Sequence, residues 1–259
     1  MRWSKWDRSE LCRMIPHPSA APDSSGPWTE TLASVAWMPN VTRTSRFGFV
    51  NAYLVEEDDG FTLVDTLLPR SGNVVLAKAG ELGRPIVRIA LTHAHGDHIG
   101  SLDELARRLP AAEVSISARD ARLLAGDKTL DPGEPVDKLR GSYPGAKTKP
   151  GRLLTPGDRV GSLEVIAAPG HTPGHVAFLD TRDRTLYCGD AYSTLGGVAT
   201  TAKVNPRFPL PTLATWHRPT ELETARTLRA LDPARLAPGH GKVVEAPAAE
   251  MDRAIANAS

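Results

Sequence analysis

Cysteine is scarce in this chain: Cys12 and Cys188 are the two it has. Two thiols so far apart form no disulfide framework, which excludes a small stapled secreted scaffold and makes a reducing cytoplasm the simplest setting. Charge of one sign is missing as well. The 31 Lys and Arg nearly cancel the 30 Asp and Glu, leaving a formal net charge of +1, so no whole-molecule field favours nucleic acid or an anionic membrane surface. No apolar run approaches the roughly 20 residues that a membrane-spanning helix requires. The opening "MRWSKWDRSELCRMIPHPSA" lacks an apolar core followed by a cleavage site, so it does not read as a secretory signal. Repeats of short period and low-complexity tracts are also missing.

What is present has ordinary globular proportions: 259 residues, 41% apolar and 24% charged, enough to bury a substantial core. Residues 1–30, ending in the Pro- and Ser-rich "PHPSAAPDSSGPWTE", predict an irregular lead-in, with one domain over 31–259. The domain alternates strand and helix signals. "FGFVNAYLVEE" and "GFTLVDT" predict a strand pair around an acidic turn, "SGNVVLAKAGELG" a helix that stops at Gly83, and "PIVRIALT" a buried strand ending at His93. "SLDELARRL" predicts a helix with Ser101 as its N-cap, followed by the strand "AEVSIS" and the helix "ARDARLLAG". A polar excursion rich in Gly, Pro and Lys covers 126–152. Strands resume at "LEVIAAP", "HVAFLD" and "TLYCGD", then come an irregular stretch over 191–218, the helix "TELETARTLRAL", the strand "RLAPGHG" and a terminal helix over 246–257. Strand–helix units on both sides of a central excursion predict an α/β fold in two halves.

Chemistry concentrates in "LTHAHGDHIG", where His93, His95, Asp97 and His98 fall within six positions. In an extended chain His93 and His95 point to one side, and Gly96 lets the backbone bend sharply before Asp97 and His98. Imidazole nitrogen together with carboxylate oxygen suits zinc, and also iron or manganese. Independent draws from ordinary composition would give this pattern in about one such chain per thousand, too rarely for chance to explain it. Three further donors stand at predicted strand ends on Gly-containing loops: His171 in "APGHTPGHV", Asp190 in "LYCGDAY" and His240 in "LAPGHGK". Alone, each reads as a solvated loop residue; together they predict one convergent site. His17, His175 and His217 lack matching partners and read as structural or solvated.

The array His93-x-His95-x-Asp97-His98, then His171, Asp190 and His240, resembles the metallo-β-lactamase superfamily of metallohydrolases, and the resemblance spans about residues 33–245. It implies a four-layer αβ/βα sandwich, two mixed β-sheets flanked by helices, with metals at one edge. It also implies a dinuclear site: His93, His95 and His171 on the first ion, Asp97, His98 and His240 on the second, and Asp190 bridging. Two Zn2+ are the implied cofactors, with Mn2+ or Fe2+ as alternatives. Asp65, closing "FTLVDT", matches the superfamily's early aspartate, which supports the site from behind the ligands; a solvated turn residue is its other reading. Two ions sharing a carboxylate can hold a bridging water and lower its pKa towards about 7, giving a hydroxide that attacks an ester-like bond. Asp97 could also relay a proton to the leaving group.

The resemblance therefore predicts a hydrolase of a small molecule, an ester, lactone or thioester, with no nucleic-acid or membrane partner. A phosphodiesterase, a β-lactam hydrolase and a mononuclear iron persulfide dioxygenase are the alternatives on the same fold. Glyoxalase II-like enzymes carry a helical extension after the last ligand, whereas 19 residues follow His240 here, which disfavours that branch. The quorum-quenching lactonases place a tyrosine three positions after the bridging aspartate. Tyr192 lies two positions after Asp190 and is the candidate oxyanion-side donor, with a buried structural tyrosine as the alternative. Candidate substrate contacts are Phe47, in the hairpin "MPNVTRTSRFGF", and Lys203, Arg207, Phe208 and Trp216 in the 191–218 stretch. Phe208 and Trp216 could equally pack that loop onto the body.

Overall fold

Val50–Glu57 serves two cores at once: Val50, Ala52 and Leu54 belong to one buried cluster, Tyr53 and Val55 to another. A strand with two apolar faces must be covered on both sides, and the architecture follows from that need. The structure, a computed structural model, describes residues 41–259. The lead-in expected over 1–30, Cys12, His17 and the first residues of the "MPNVTRTSRFGF" hairpin lie outside the described residues.

The first half contains β1 (Val41–Arg46), β2 (Val50–Glu57), β3 (Gly60–Val64), α1 (Gly72–Glu81), β4 (Ile86–Ala90), α2 (Leu102–Arg108), β5 (Glu113–Ser117), α3 (Ala118–Leu124) and β6 (Arg152–Leu154). The second contains β7 (Arg159–Val160), β8 (Leu163–Ala167), β9 (Val176–Asp180), β10 (Thr185–Ser193), β11 (Ala199–Thr200), α4 (Leu210–Ala214), α5 (Arg218–Ala230), β12 (Arg235–His240), β13 (Val244–Glu245) and α6 (Ala248–Ala258). Strands β3 to β6 run parallel through helical crossovers, while β7 to β10 form an antiparallel meander.

Three buried clusters separate four layers. One packs β2–β5 against α1, α2 and α3 through Val75, Leu102, Leu105 and Leu123. The second lies between the sheet halves, where Tyr53, Val55 and Val64 meet Val165, Phe178 and Tyr187. The third packs β9, β10 and β12 on α5 and α6 through Ala225, Leu228 and Met251. This is the αβ/βα sandwich. Its two sheets are joined, because β2 and β12 pair at Val50 and His240, giving a continuous order β6-β5-β4-β3-β2-β12-β10-β9-β8-β7. That seam carries His240 to the edge where the loops after β4 and β8 converge.

Several local expectations change. Ser101 precedes α2, but its side chain does not cap it. The hydroxyl donates to the Leu68 carbonyl at 2.7 Å and accepts the Ser71 N–H at 2.8 Å, tying the loop after β3 to the helix. The 191–218 stretch is not wholly irregular, since β11 and α4 lie within it. Asp190 stands inside β10, and His240 is the last residue of β12, not in a following loop. No helix among the described residues is long and apolar enough to cross a membrane.

Candidate metal centre

Buried β4 ends at Ala90, and the chain then turns back on itself over residues 91–101, presenting His93, His95, Asp97 and His98 from one short loop. The loop between β8 and β9 adds His171, β10 adds Asp190, and the end of β12 adds His240. The donor atoms form three overlapping groups, each within 4.8 Å: His93 with His95 and His171; His93 with His98 and Asp190; Asp97 with His98 and His240. Asp190 stands between the outer two. Its Oδ2 is 3.4 Å from His171 Nε2 and 3.2 Å from His240 Nε2, and its Oδ1 is 3.3 Å from His98 Nε2. Donors bound at about 2.1 Å to one tetrahedral ion would lie about 3.4 Å apart, so these spacings have the right scale. Gly239 makes the crowding possible, because a Cβ there would meet Asp190 Oδ1 at 2.4 Å and His98 Cε1 at 2.5 Å.

All five histidines are anchored by the ring nitrogen that faces away from this centre. His98 Nδ1 donates to Asp65 Oδ2 at 2.8 Å, His95 Nε2 to the Arg140 carbonyl at 3.0 Å, and His240 Nδ1 to the Phe49 carbonyl at 3.3 Å. His171 Nδ1 lies 3.0 Å from Thr215 Oγ1, and His93 Nδ1 lies 3.0 Å from Thr92 Oγ1. Both hydroxyls have an oxygen to donate to, Pro211 O at 3.0 Å for Thr215 and Asp65 Oδ2 at 2.9 Å for Thr92, so each accepts from its imidazole. A proton on each outer nitrogen leaves a lone pair on each inner one. His93 Nε2, His98 Nε2 and Asp190 Oδ1 are buried and make no hydrogen bond. Orphaned acceptors in a buried cluster are costly unless a cation satisfies them, so the residues present fit a metal.

Electrostatics without a cation point the same way. Burial, then the other histidines, hold His93 well below its usual range. Burial works against charge on His98 and His240 too, but the carboxylates outweigh it: His98 rises well above its usual range beside Asp190 and Asp65, and His240 is pushed up to about 9 beside Asp190 and Asp97. Burial likewise opposes ionisation of Asp190 and Asp97, yet His240 and His98 hold both carboxyls low. Protons collect where positive charge is wanted.

Beside the donors opens a cleft of about 300 Å3, lined by His95, Asp97, Asp190 and His240 and by Phe49, Leu68, Ser142, Phe208, Leu210 and Pro211. Asp97 is the donor open to it, its side chain 33% exposed. Of the expected substrate contacts, only Phe208 lies here; its ring is 5.8 Å from Phe49 and 5.4 Å from His240. Phe47 projects into solvent at the β1–β2 turn, 73% exposed. Lys203 and Arg207 line a different groove, against α6. Trp216 is buried away from the cleft, its indole N–H donating to the Asp137 carbonyl at 3.1 Å, so it fastens the 126–152 excursion. Tyr192 requires the plainest correction. Its ring is fully buried in the helix-side core and its hydroxyl donates to the Ala225 carbonyl of α5 at 2.7 Å, so it does not line the cleft.

His175 and His217, which lack partners in the sequence, take structural positions, and the 126–152 excursion reaches the centre. His175 is buried and accepts the Asp190 N–H at Nε2, 3.3 Å away, while its Nδ1 donates to the Ala168 carbonyl, so it orients the Asp190 backbone. His217 caps α5, accepting the Thr220 N–H. The 126–152 excursion closes one side of the centre. The Ser142 carbonyl accepts the Gly96 N–H at 2.9 Å, and the Tyr143 ring lies 4.5 Å from that of His95.

Fold and site together define a metal-dependent hydrolase with a His/Asp centre. The family model for the metallo-beta-lactamase superfamily matches residues 45–240, and the chain belongs to that superfamily, whose members bind divalent metals through such clusters. Among its relatives, the uncharacterized protein YobT of Bacillus subtilis (strain 168) is 46% identical over 210 residues, 81% of this chain and 90% of that one. A hydroxyacylglutathione hydrolase of Synechococcus sp. (strain JA-2-3B'a(2-13)) is 34% identical over 141 residues, 53% of this chain and 47% of that protein. The crystal structure of TTHA1623 in a di-iron-bound form is similar at a TM-score of 0.59 with 28% identity, covering 80% of this chain and 95% of that one.

Proposed function

We propose that this protein hydrolyses a small, neutral, ester-like molecule (an ester, lactone or thioester) with two divalent ions. His93, His95 and His171 would hold the first, Asp97, His98 and His240 the second, and Asp190 would touch both. The observation that carries this reading is the set of five inward imidazole lone pairs around one carboxylate, each fixed by a bond on its far side. Bound there, the ions would supply a water activated at neutral pH and an electrophile for the carbonyl oxygen. Zinc is the leading candidate, and the di-iron form of TTHA1623 supports iron as the alternative.

The chain's own residues do the rest. Asp97 faces the cleft and lies 3.3 Å from His240 Nε2, placed to take the proton that the attacking water gives up and pass it to a departing alkoxide or thiolate. Phe49, Leu68, Phe208 and Pro211 offer an apolar wall to an acyl group and keep bulk water from it. Among the described residues that line the cleft there is no Lys or Arg. A glutathione thioester or a β-lactam, each bearing a carboxylate, would find no cationic partner on that wall, which favours a neutral substrate. A near-neutral net charge and few thiols support a cytoplasmic enzyme acting on a small molecule in preference to nucleic acid.

The test is a hydrolysis screen of the Zn2+-loaded protein over neutral lactones, aryl and thioesters, glutathione thioesters, phosphodiesters and β-lactams. The highest kcat/KM is expected on a neutral ester, lactone or thioester. A preference for any anionic class would overturn the substrate reading. About one iron per chain with oxygen uptake on a persulfide would replace hydrolysis with oxidation.

A further inference from the structure

Asp120 belongs to neither donor set, yet it is fully buried in the first turn of α3 and its bonds lead to the donors. Oδ2 accepts the Ala94 N–H at 2.9 Å and the Thr172 hydroxyl at 2.8 Å, while Oδ1 accepts the Gly174 N–H at 2.9 Å. Ala94 lies between His93 and His95, and Thr172 follows His171 directly. One carboxylate therefore fastens together the two loops that carry all three histidines of the first set. The carboxylate is itself held firmly: α3 follows β5 without a break, and Ser117 Oγ accepts the Asp120 N–H at 3.0 Å. The neighbouring Arg119 turns away to pair with Glu134 at 2.7 Å. Three donors therefore satisfy Asp120, two of them backbone groups in the histidine loops.

The second set is anchored by other means, Asp65 behind His98 and the Phe49 carbonyl behind His240. The geometry points to Asp120 as a positioning residue that sets the spacing of His93, His95 and His171, and so governs retention of the first ion without governing the second. This rests on the two-ion reading above. Losing such an outer anchor costs metal affinity by misplacing ligands whose own chemistry is intact.

Co2+ titration with chelator competition tests it, since the visible bands report ligand geometry independently of turnover. A chain carrying His240→Ala presents the three-histidine set, and one carrying His171→Ala presents the other. Asp120→Asn and Asp120→Ala are expected to weaken the first set about 10- to 100-fold and alter its Co2+ bands, leaving the second within about threefold. Thr172→Val removes one of the three bonds and should give a smaller loss confined to the first set; it decides the matter if the Asp120 variants do not fold. Unchanged first-set affinity in Thr172→Val, or equal losses at both sets, overturns the role of Asp120. Failure of the parent chain to bind Co2+ at all would instead overturn the two-ion reading, and this inference with it.

Discussion

Asp65→Asn separates the shape of the centre from its protonation. Asp65 has a positive φ of 61°, a conformation that Asn tolerates as well as any residue with a side chain, so the backbone should not move. The Asn oxygen can keep the Thr92 N–H bond that Oδ1 accepts at 2.8 Å. What changes is the atom facing His98, because the Thr92 hydroxyl, which donates to Oδ2 at 2.9 Å, can turn to the retained oxygen at Oδ1, 3.1 Å away, and so keep accepting from His93. Asp65 Oδ2 accepts from His98 Nδ1 at 2.8 Å and so leaves the Nε2 lone pair, 3.3 Å from Asp190 Oδ1, free to serve as a metal donor beside that carboxylate. An amide N–H there would need Nδ1 as an acceptor, moving the proton to Nε2 and taking His98 out of the donor set. Loss of such an anchor typically weakens metal binding 10- to 100-fold, about 1.4–2.7 kcal/mol. Zn2+ competition against a chromophoric chelator should show one weakened site and one retained, with kcat falling at limiting metal and recovering as Zn2+ is raised. Parent-like affinity at both sites would refute the role given to Asp65 and the tautomer assigned to His98.

Phe208→Ala should raise KM for an apolar ester about tenfold with kcat and metal content unchanged, since an apolar wall acts on substrate and transition state alike; loss of metal would show the ring to be scaffold. Tyr192→Phe should leave kcat/KM unaltered and cost about 1 kcal/mol in urea unfolding, from the lost bond to Ala225, and a tenfold fall in kcat would return the hydroxyl to the chemistry. The metal-free protein should be most stable near pH 6–7. Burial pushes His95 and His175 down to about 4, so the native state binds fewer protons than the unfolded chain between there and 6.5, and stability rises with pH. Asp120, pushed up to about 6 by burial, opposes that rise in part. His240, at about 9, makes the native state bind more protons above 6.5, so stability then falls, with about 3 kcal/mol from His240 and a further loss from His98, which is raised in the same direction. A Tm that climbs steadily from pH 5 to 9 after chelation would contradict this.

The centre was legible because its donors are local: six positions after one buried strand supply four, and three more stand on Gly-rich segments at or near strand ends. The layers were legible because strands such as β2 and β9 are apolar on both faces. Tyr192 was not. Two residues after Asp190, an unbroken strand would turn both side chains to one side, but β10 shifts register around Gly189, whose φ is +48°. That residue must be glycine, as a Cβ would meet His175 Nε2 at 2.3 Å, and the irregularity it allows turns Tyr192 into the helix-side core. Trp216 was left open between pocket and packing because its partner, Asp137, is 79 positions away and invisible to any local pattern. Asp120 was hidden by an innocent context, since Ser117-x-x-Asp120 reads as a helix start, and only the folded loops reveal that its carboxylate points outward to Ala94 and Gly174.

Metal content is the measurement on which the whole reading stands. After exhaustive chelation and reloading with Zn2+, elemental analysis of the parent chain should return about two ions per chain, and of the Asp190→Asn variant clearly fewer, because an amide offers one neutral oxygen where the carboxylate offers two anionic ones. No retained metal, or a parent-like content in Asp190→Asn, would contradict a dinuclear centre held together by Asp190.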